Sequence, residues 1–218
     1  MGTPGGLYRD LTETDVSWLG SDGDDWATGP SRVTLAWLDD GRVLALDQRG
    51  RAVQPVEVSA RGVRRLSDVD GVMADAVHDL DAGAVYAAVE TPTRAHEIVR
   101  IGPDGAHEVL TDLNPFTFPA PEHFTVPGVG GDGEAVDVYA LFAQEGPGPT
   151  VFSIHGGPHG AFLQGLNLDY HTVRDAGVSA VWANPHASNG YSHAFAHALA
   201  GCWGELDEAE WRQIRTHL

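Results

Sequence analysis

Val151-Phe-Ser-Ile-His-Gly-Gly-Pro-His-Gly160 is the stretch on which the reading of this chain turns. Thr150–Ile154 is a short apolar run of buried-strand type, and it leads straight into two glycines and a proline. Glycine turns where an L-side chain is hindered, so Gly156 and Gly157 predict a tight loop whose backbone is open to whatever approaches it. A second stretch of the same kind lies downstream. Val178–Ala183 reads as another buried strand, and Asn184-Pro-His-Ala-Ser-Asn-Gly-Tyr191 follows it as a turn.

Working outward, helices are expected over Leu166–Ala176, closed by Gly177, over Tyr191–Leu199 and over Asp207–His217, the last with Asp207 and Glu208 at its positive end. Ahead of the glycine loop, Glu122–Val126 and Ala135–Phe142 read as strands flanking the turn Gly128–Gly133, and Gly146-Pro-Gly-Pro149 breaks the chain again. Asp112-Leu-Asn-Pro-Phe-Thr-Phe-Pro-Ala-Pro121 carries three prolines and marks a boundary, because proline restricts both itself and its predecessor to extended backbone.

Before that boundary the chain repeats itself. Arg32–Leu38, a turn at Asp39–Gly41, Arg42–Asp47, Val53–Val58 and Gly62–Leu66 are followed by Val72–His78, a turn at Asp81–Gly83, Ala84–Glu90, Ala95–Ile101 and Ala106–Leu110. Val33 and Val72 are the matching positions, a spacing that suits a four-stranded propeller blade. Two such units cannot close a ring, so the alternatives are the tail of a larger propeller or a small sandwich. Residues 1–30 are rich in Gly and Asp and read as a frayed or disordered lead-in.

Composition excludes some partners. With 13 basic and 31 acidic residues the formal charge is −18. All the basic residues are Arg. Phosphate-rich surfaces call for clustered Lys and Arg, so nucleic acid and anionic membranes are not expected as partners. The single cysteine, Cys202, excludes an internal disulfide, and no apolar leader or membrane-length run is present; the expected location is the cytoplasm.

Taken in order, Pro121-Glu122, Gly131-Asp-Gly133, His155-Gly-Gly-Pro158, Asn184-Pro185 with Ser188-Asn-Gly-Tyr191, and Gly201-Cys-Trp-Gly-Glu-Leu-Asp207 resemble the prolyl oligopeptidase family of serine peptidases, in its acylaminoacyl-peptidase and dipeptidyl-peptidase-like branch. The resemblance implies the C-terminal blades of a β-propeller over residues 31–112, a Pro-rich hinge at 113–121 and the N-terminal half of an α/β-hydrolase domain over 122–218. It implies an acyl-transfer enzyme for short peptides in which the Gly157 backbone N–H is one oxyanion-hole donor and Gly156 lets the substrate approach. No cofactor or metal is implied. Two departures stand out. The family reads Asn-Pro-Arg-Gly-Ser where this chain has Asn184-Pro-His-Ala-Ser188, and the nucleophile elbow Gly-x-Ser-x-Gly is absent from the 218 residues. A chain without Ser, Asp and His of the triad is expected to be inactive alone; with no nucleophile strand to pair it, Thr150–Ile154 is expected to become an exposed edge, leaving the chain poorly soluble and rescued by a polypeptide carrying the other half of the domain.

The remaining chemistry-bearing residues carry weaker readings. Ser188 lacks the glycine two positions earlier that an elbow needs, Ser153 is expected inside a buried strand, and Cys202 reads as a packing residue beside Trp203. His193 and His197, like His155 and His159, have the i, i+4 spacing that can hold zinc, with Glu205 and Asp207 as possible oxygen ligands. Neither pair has the Glu of His-Glu-x-x-His, so surface residues are the expectation. The alternative to a peptidase segment is a non-catalytic β-repeat binding module with a decayed hydrolase portion. An esterase or lipase also uses such glycine loops, but the repeat and the Trp203–Gly204 pair speak against it.

Overall fold

The computed structural model describes residues 18–19, 35–39, 41–130, 133–144, 146, 148–157 and 159–218. The chain is mostly β-sheet with few helices. Nine strands form the first sheet: β1 (Trp18–Leu19), β2 (Leu35–Asp39), β3 (Arg42–Arg49), β4 (Ala52–Ser59), β5 (Gly62–Arg65), β6 (Val72–Asp79), β7 (Ala84–Thr91), β8 (Arg94–Ile101) and β9 (His107–Val109). β2–β5 is an antiparallel meander and β6–β9 repeats it; the two are joined by a single parallel pair, Val53 with Val72. Strand alternation sorts the side chains. Leu44, Leu46 and Val53 of the first meander meet Met73, Val85 and Val99 of the second in one core.

The second and third strands of the two meanders are offset by 42 residues, Arg42 matching Ala84 and Ala52 matching Arg94. The spacing expected from Val33 and Val72 is shorter, mostly because β6 and β7 are joined by a longer turn than β2 and β3. Val33 itself lies outside the described residues, as do most of residues 1–30; within that lead-in, β1 pairs with Asp47 and Gln48 of β3.

The second sheet comprises β10 (Glu122–Pro127), β11 (Ala135–Leu141), β12 (Thr150–Ser153) and β13 (Ser179–Asn184), in the order β10-β11-β13-β12. β10, β11 and β13 are antiparallel to their neighbours, whereas β12 and β13 run parallel. A parallel pair needs a crossover, supplied here by α1 (Leu168–Asp175). Tyr170 and Val173 of α1 pack on Tyr139, Leu141 and Trp182. The opposite face is covered by α3 (Leu206–His217), where Ile214 and Trp211 meet Val126, Val138 and Val181. α2 (His193–His197) is a short helix between them in sequence.

Capping explains where the helices depart from the pattern-based bounds. Asn167 accepts from the amides of Asp169 at 3.1 Å and Tyr170 at 3.3 Å, so α1 starts at Leu168 rather than Leu166. Ser192 accepts from the Phe195 amide at 3.1 Å, which starts α2 at His193 rather than Tyr191. The apolar run at Thr150–Ile154 has the composition of a buried strand yet lies at an edge, as expected of this chain: β12 ends at Ser153, has β13 as its one neighbour among the described residues, and leaves Val151 49% and Ile154 65% exposed. Ser153, half-buried, accepts a hydrogen bond from the Tyr170 hydroxyl at 2.7 Å.

The proline-rich segment between the sheets is held to β8 by one buried carboxylate. Glu97 accepts from the Thr111 hydroxyl and from the amides of Leu113 at 3.0 Å and Asn114 at 2.8 Å, and these donors hold its carboxyl below the ordinary range. Direct contacts also join the sheets. The Gly50 amide donates to Gly190 O at 2.6 Å and the Gln164 amide to Arg51 O at 2.9 Å. Among the described residues no helix is long and apolar enough to cross a membrane.

Glu90 of β7 is buried at 3% exposure with Oε2 lacking a partner among the described residues. Burial pushes its carboxyl up to about 8, opposed by the nearby Leu166 amide, while burial lowers His96, whose Nδ1 is 3.9 Å away. Both groups are therefore driven toward their neutral forms. The unfolded chain releases the Glu90 proton near pH 4.5 and the folded chain near pH 8, so this residue lowers stability progressively as pH rises between those values. Glu90→Gln should remove that slope, leaving the variant more stable than the parent at pH 8 by up to about 4 kcal/mol and little changed at pH 4.5, as read by urea unfolding at both values.

Candidate functional site

The loop that leaves β12 is built for glycine. Gly157 has φ +130°, and a Cβ placed there would lie 2.6 Å from the Gly160 nitrogen and 2.7 Å from that of His159. A side chain on Gly160 would meet Gly156 O at 2.7 Å, whereas Gly156 faces open space. The loop thus curls so tightly that its own backbone fills the room side chains would need. Gly156 and Gly157 are exposed, and among the described residues the Gly157 amide has no hydrogen-bond acceptor. Pro158 lies outside the described residues.

The loop after β13 braces it from below. The Ser188 hydroxyl donates to Pro185 O at 2.6 Å, so its lone pair is left to accept from His155 Nε2 at 2.9 Å. Because a carbonyl can only accept, His159 Nδ1 donates to Ala187 O at 3.2 Å. The Asn189 amide donates to Gly160 O at 3.1 Å. Ser188 is fully buried and committed to this brace, which accounts for its place in the sequence without any nucleophilic role.

Asn184, at the end of β13, fixes the far side of the glycine loop. Its Oδ1 accepts from the Phe162 amide at 2.7 Å, and its Nδ2 donates to Phe162 O at 2.9 Å and to the Tyr191 hydroxyl at 3.1 Å. Tyr191 in turn donates to Asp137 Oδ2 at 2.5 Å, and His123 Nε2 to Asp137 Oδ1 at 2.7 Å. Burial holds the Tyr191 hydroxyl well above its ordinary value, keeping it a neutral donor.

The two departures in Asn184-Pro-His-Ala-Ser188 have structural counterparts. His186 is fully buried and stacks on Phe195 with ring centroids 4.0 Å apart. Its Nδ1 donates to Glu210 Oε1 at 2.5 Å and its amide to Glu210 Oε2 at 2.8 Å, while the Val129 amide reaches Oε1 at 3.2 Å. One carboxylate on α3 therefore ties together three segments. Gly128 and Gly130 lie so close to the imidazole that a Cβ on either would come within 2.6 Å of it. Ala187, where the family has glycine, sits at φ +85°, the one non-glycine residue with positive φ among those described.

Three of the expected histidines meet without forming a metal site. His193 and His197 are exposed with tilted rings 4.2 Å apart, His159 lies 5.7 Å from His197, and no group of three His, Cys, Asp or Glu side chains placed for a metal ion occurs among the described residues. Cys202 Sγ lies 3.2 Å from Ala198 O, and Trp203 beside it is exposed. Gly131 and Asp132, from the expected turn, lie outside the described residues. Glu210 carries no sequence signal of its role, since on an amphipathic helix it reads as one more solvent-facing acid.

This arrangement has the fold of part of several solved peptidases and hydrolases. The chain is similar to acylaminoacyl peptidase of Pyrococcus horikoshii, with a TM-score of 0.71 and 23% identity over 82% of this chain and 29% of that one. It is similar to a puromycin-hydrolyzing peptidase of Mycobacterium tuberculosis, with a TM-score of 0.63 and 20% identity over 91% of this chain and 32% of that one. A puromycin hydrolase superposes with a TM-score of 0.65 at 18% identity, over 87% of this chain and 31% of that one. Among curated proteins, 59 residues are 32% identical to YuxL, an uncharacterized peptidase of Bacillus subtilis, covering 27% of this chain and 9% of that protein. The chain spans less than a third of the length of each of these relatives. No protein-family model matches it.

Two substitutions test the support network. Ala187→Gly should relieve left-handed strain of about 1–2 kcal/mol and lose part of that gain to glycine's freedom when unfolded, for a net stabilisation of about 0.5–1 kcal/mol. Glu210→Ala strips the acceptor from a buried imidazole and two amides and should cost about 3–5 kcal/mol. Urea unfolding of the two variants against the parent reads both.

Proposed function

We propose that this chain is the part of a prolyl-oligopeptidase-family serine peptidase that holds the last two blades of a β-propeller and the first half of an α/β-hydrolase domain. In this reading residues 31–112 are the blades, 113–121 the hinge and 122–218 the partial hydrolase domain. Gly157 supplies one oxyanion donor and Gly156 the bare approach to it. The observation that carries the reading is the second sheet's order, first-second-fourth-third in chain sequence, with the glycine loop springing from its third strand and an amide there that has no acceptor among the described residues. The paired four-stranded meanders support the propeller assignment.

The chemistry follows from what is present. In acyl transfer a serine attacks the peptide carbonyl, and the oxygen becomes an anion that fixed N–H donors stabilise. This chain contributes such a donor on a loop braced at three points, and it contains no elbow serine. A polypeptide carrying Ser, Asp and His is the proposed partner, and short peptides are the proposed substrate of the assembled enzyme. The outer edge of β12 supports that partnership: its backbone has no strand on that side among the described residues, and Val151 and Ile154 are exposed beside it.

A fluorophosphonate serine probe tests the reading. The chain alone should take no label, and stoichiometric labelling of any of its serines would sink the proposal. Alone it should also self-associate, whereas co-expression with the complementing polypeptide should give a soluble complex that labels and cleaves short peptides. Loss of one oxyanion donor typically costs 10²–10³ in kcat; a Cβ at Gly157 would collide with the Gly160 and His159 nitrogens and displace the amide, so Gly157→Ala in that complex should lower turnover by roughly that factor with the complex still assembled.

A further inference from the structure

A cavity of about 390 Å³ opens between the two sheets, away from the groups used above and within the size range of small-ligand sites. Its floor is aromatic. Tyr139 and Trp182 stack with centroids 5.8 Å apart, and Pro121 of the connecting segment extends the apolar wall. The rim carries opposite charges on separate supports. Arg51, at the β3–β4 turn, places its guanidinium 6.0 Å over the Tyr139 ring. It forms a loose, solvent-exposed ion pair with Asp70 Oδ2 at 3.9 Å, beyond hydrogen-bond range, and no hydrogen bond from it is made among the described residues. Asp70 Oδ1 accepts from Gln164 Nε2 at 2.5 Å, leaving Oδ2 for a second donor. Gln164 is itself 4% exposed, and its Oε1 is buried with no partner among the described residues.

Donors on Arg51 and an acceptor on Asp70 thus lie side by side on the rim, above an apolar floor. A ligand that satisfies both has a carboxylate and an ammonium close together and an apolar side chain laid on the aromatic floor. We propose that this pocket binds a free α-amino acid or a dipeptide with both termini unblocked, its carboxylate on Arg51 and its ammonium on Asp70, which Gln164 holds in place. A protein of formal charge −18 repels a net anion, but such a zwitterion carries no net charge and escapes that penalty. The site draws on both sheets, since the Arg51 carbonyl also accepts the Gln164 amide. It stands whether or not the chain is part of a peptidase.

Ligand-observed NMR on the full chain, which tolerates self-association of the protein, provides the test. Phenylalanine and glycyl-phenylalanine are titrated beside N-acetylphenylalanine and phenylalanine amide, each of which lacks one charge. The zwitterions should bind saturably, and each blocked form should bind about tenfold more weakly or worse, as expected for loss of a charged hydrogen bond. Arg51→Gln should weaken phenylalanine at least as much while leaving the thermal unfolding of the free protein unchanged. Absence of saturable binding by both zwitterions, equal affinity for the blocked forms, or unaltered affinity in the Arg51 variant would each overturn the assignment. The blocked ligands probe the unmodified chain, so the test holds even where the variant folds poorly.

Discussion

The position of β13 between an antiparallel and a parallel neighbour is the constraint on which the second half of the molecule depends. All six of its residues are buried, so its backbone must be paired on both sides and its side chains covered on both faces. β11 and β12 provide the pairing, and α1 and α3 the cover. Once that strand is fixed, its final residue, Asn184, is fixed too, and through Phe162, Tyr191 and the 185–189 turn it sets the shape of the glycine loop. The loop contributes little order of its own. Its conformation is imposed by the buried polar groups beneath it.

Period and punctuation carried much of this in the sequence. The alternation Val85, Ala87, Val89 reads as a strand with one covered face, and the structure pairs those residues into the shared core. β6, β7 and β8 fall within a residue of the pattern-based bounds. Helix ends were harder, because hydrophobic pattern does not reveal which polar residue turns back to cap; Asn167 and Ser192 do so. The exposure of β12 was legible only by combining two observations. An apolar run announces that a strand prefers burial, and the absence of an elbow serine in these residues says that one neighbour is not supplied here.

Within the candidate site, glycine loops announce themselves and their supports do not. Gly156 and Gly157 were visible as a bare turn, whereas the pairing of His186 with Glu210 joins residues 24 apart on two elements whose packing only the tertiary structure defines. The same holds for Arg51, Asp70 and Gln164, which converge from a hairpin tip and two loops. A basic residue at a turn reads as solvated surface until the fold places an aromatic ring under it. His186 meets the Glu210 carboxylate in a setting closed by stacking on Phe195 and by close contact with two glycines.

The direction of β12 has a geometrical corollary. A newcomer that docks on its open side in the same sense as β13 must enter from the Thr150 end and leave beside His155. Whatever residue such a guest carries just past its last rung is therefore delivered beside the curled glycines. The border of this sheet acts as a rail, and its terminus is the loop.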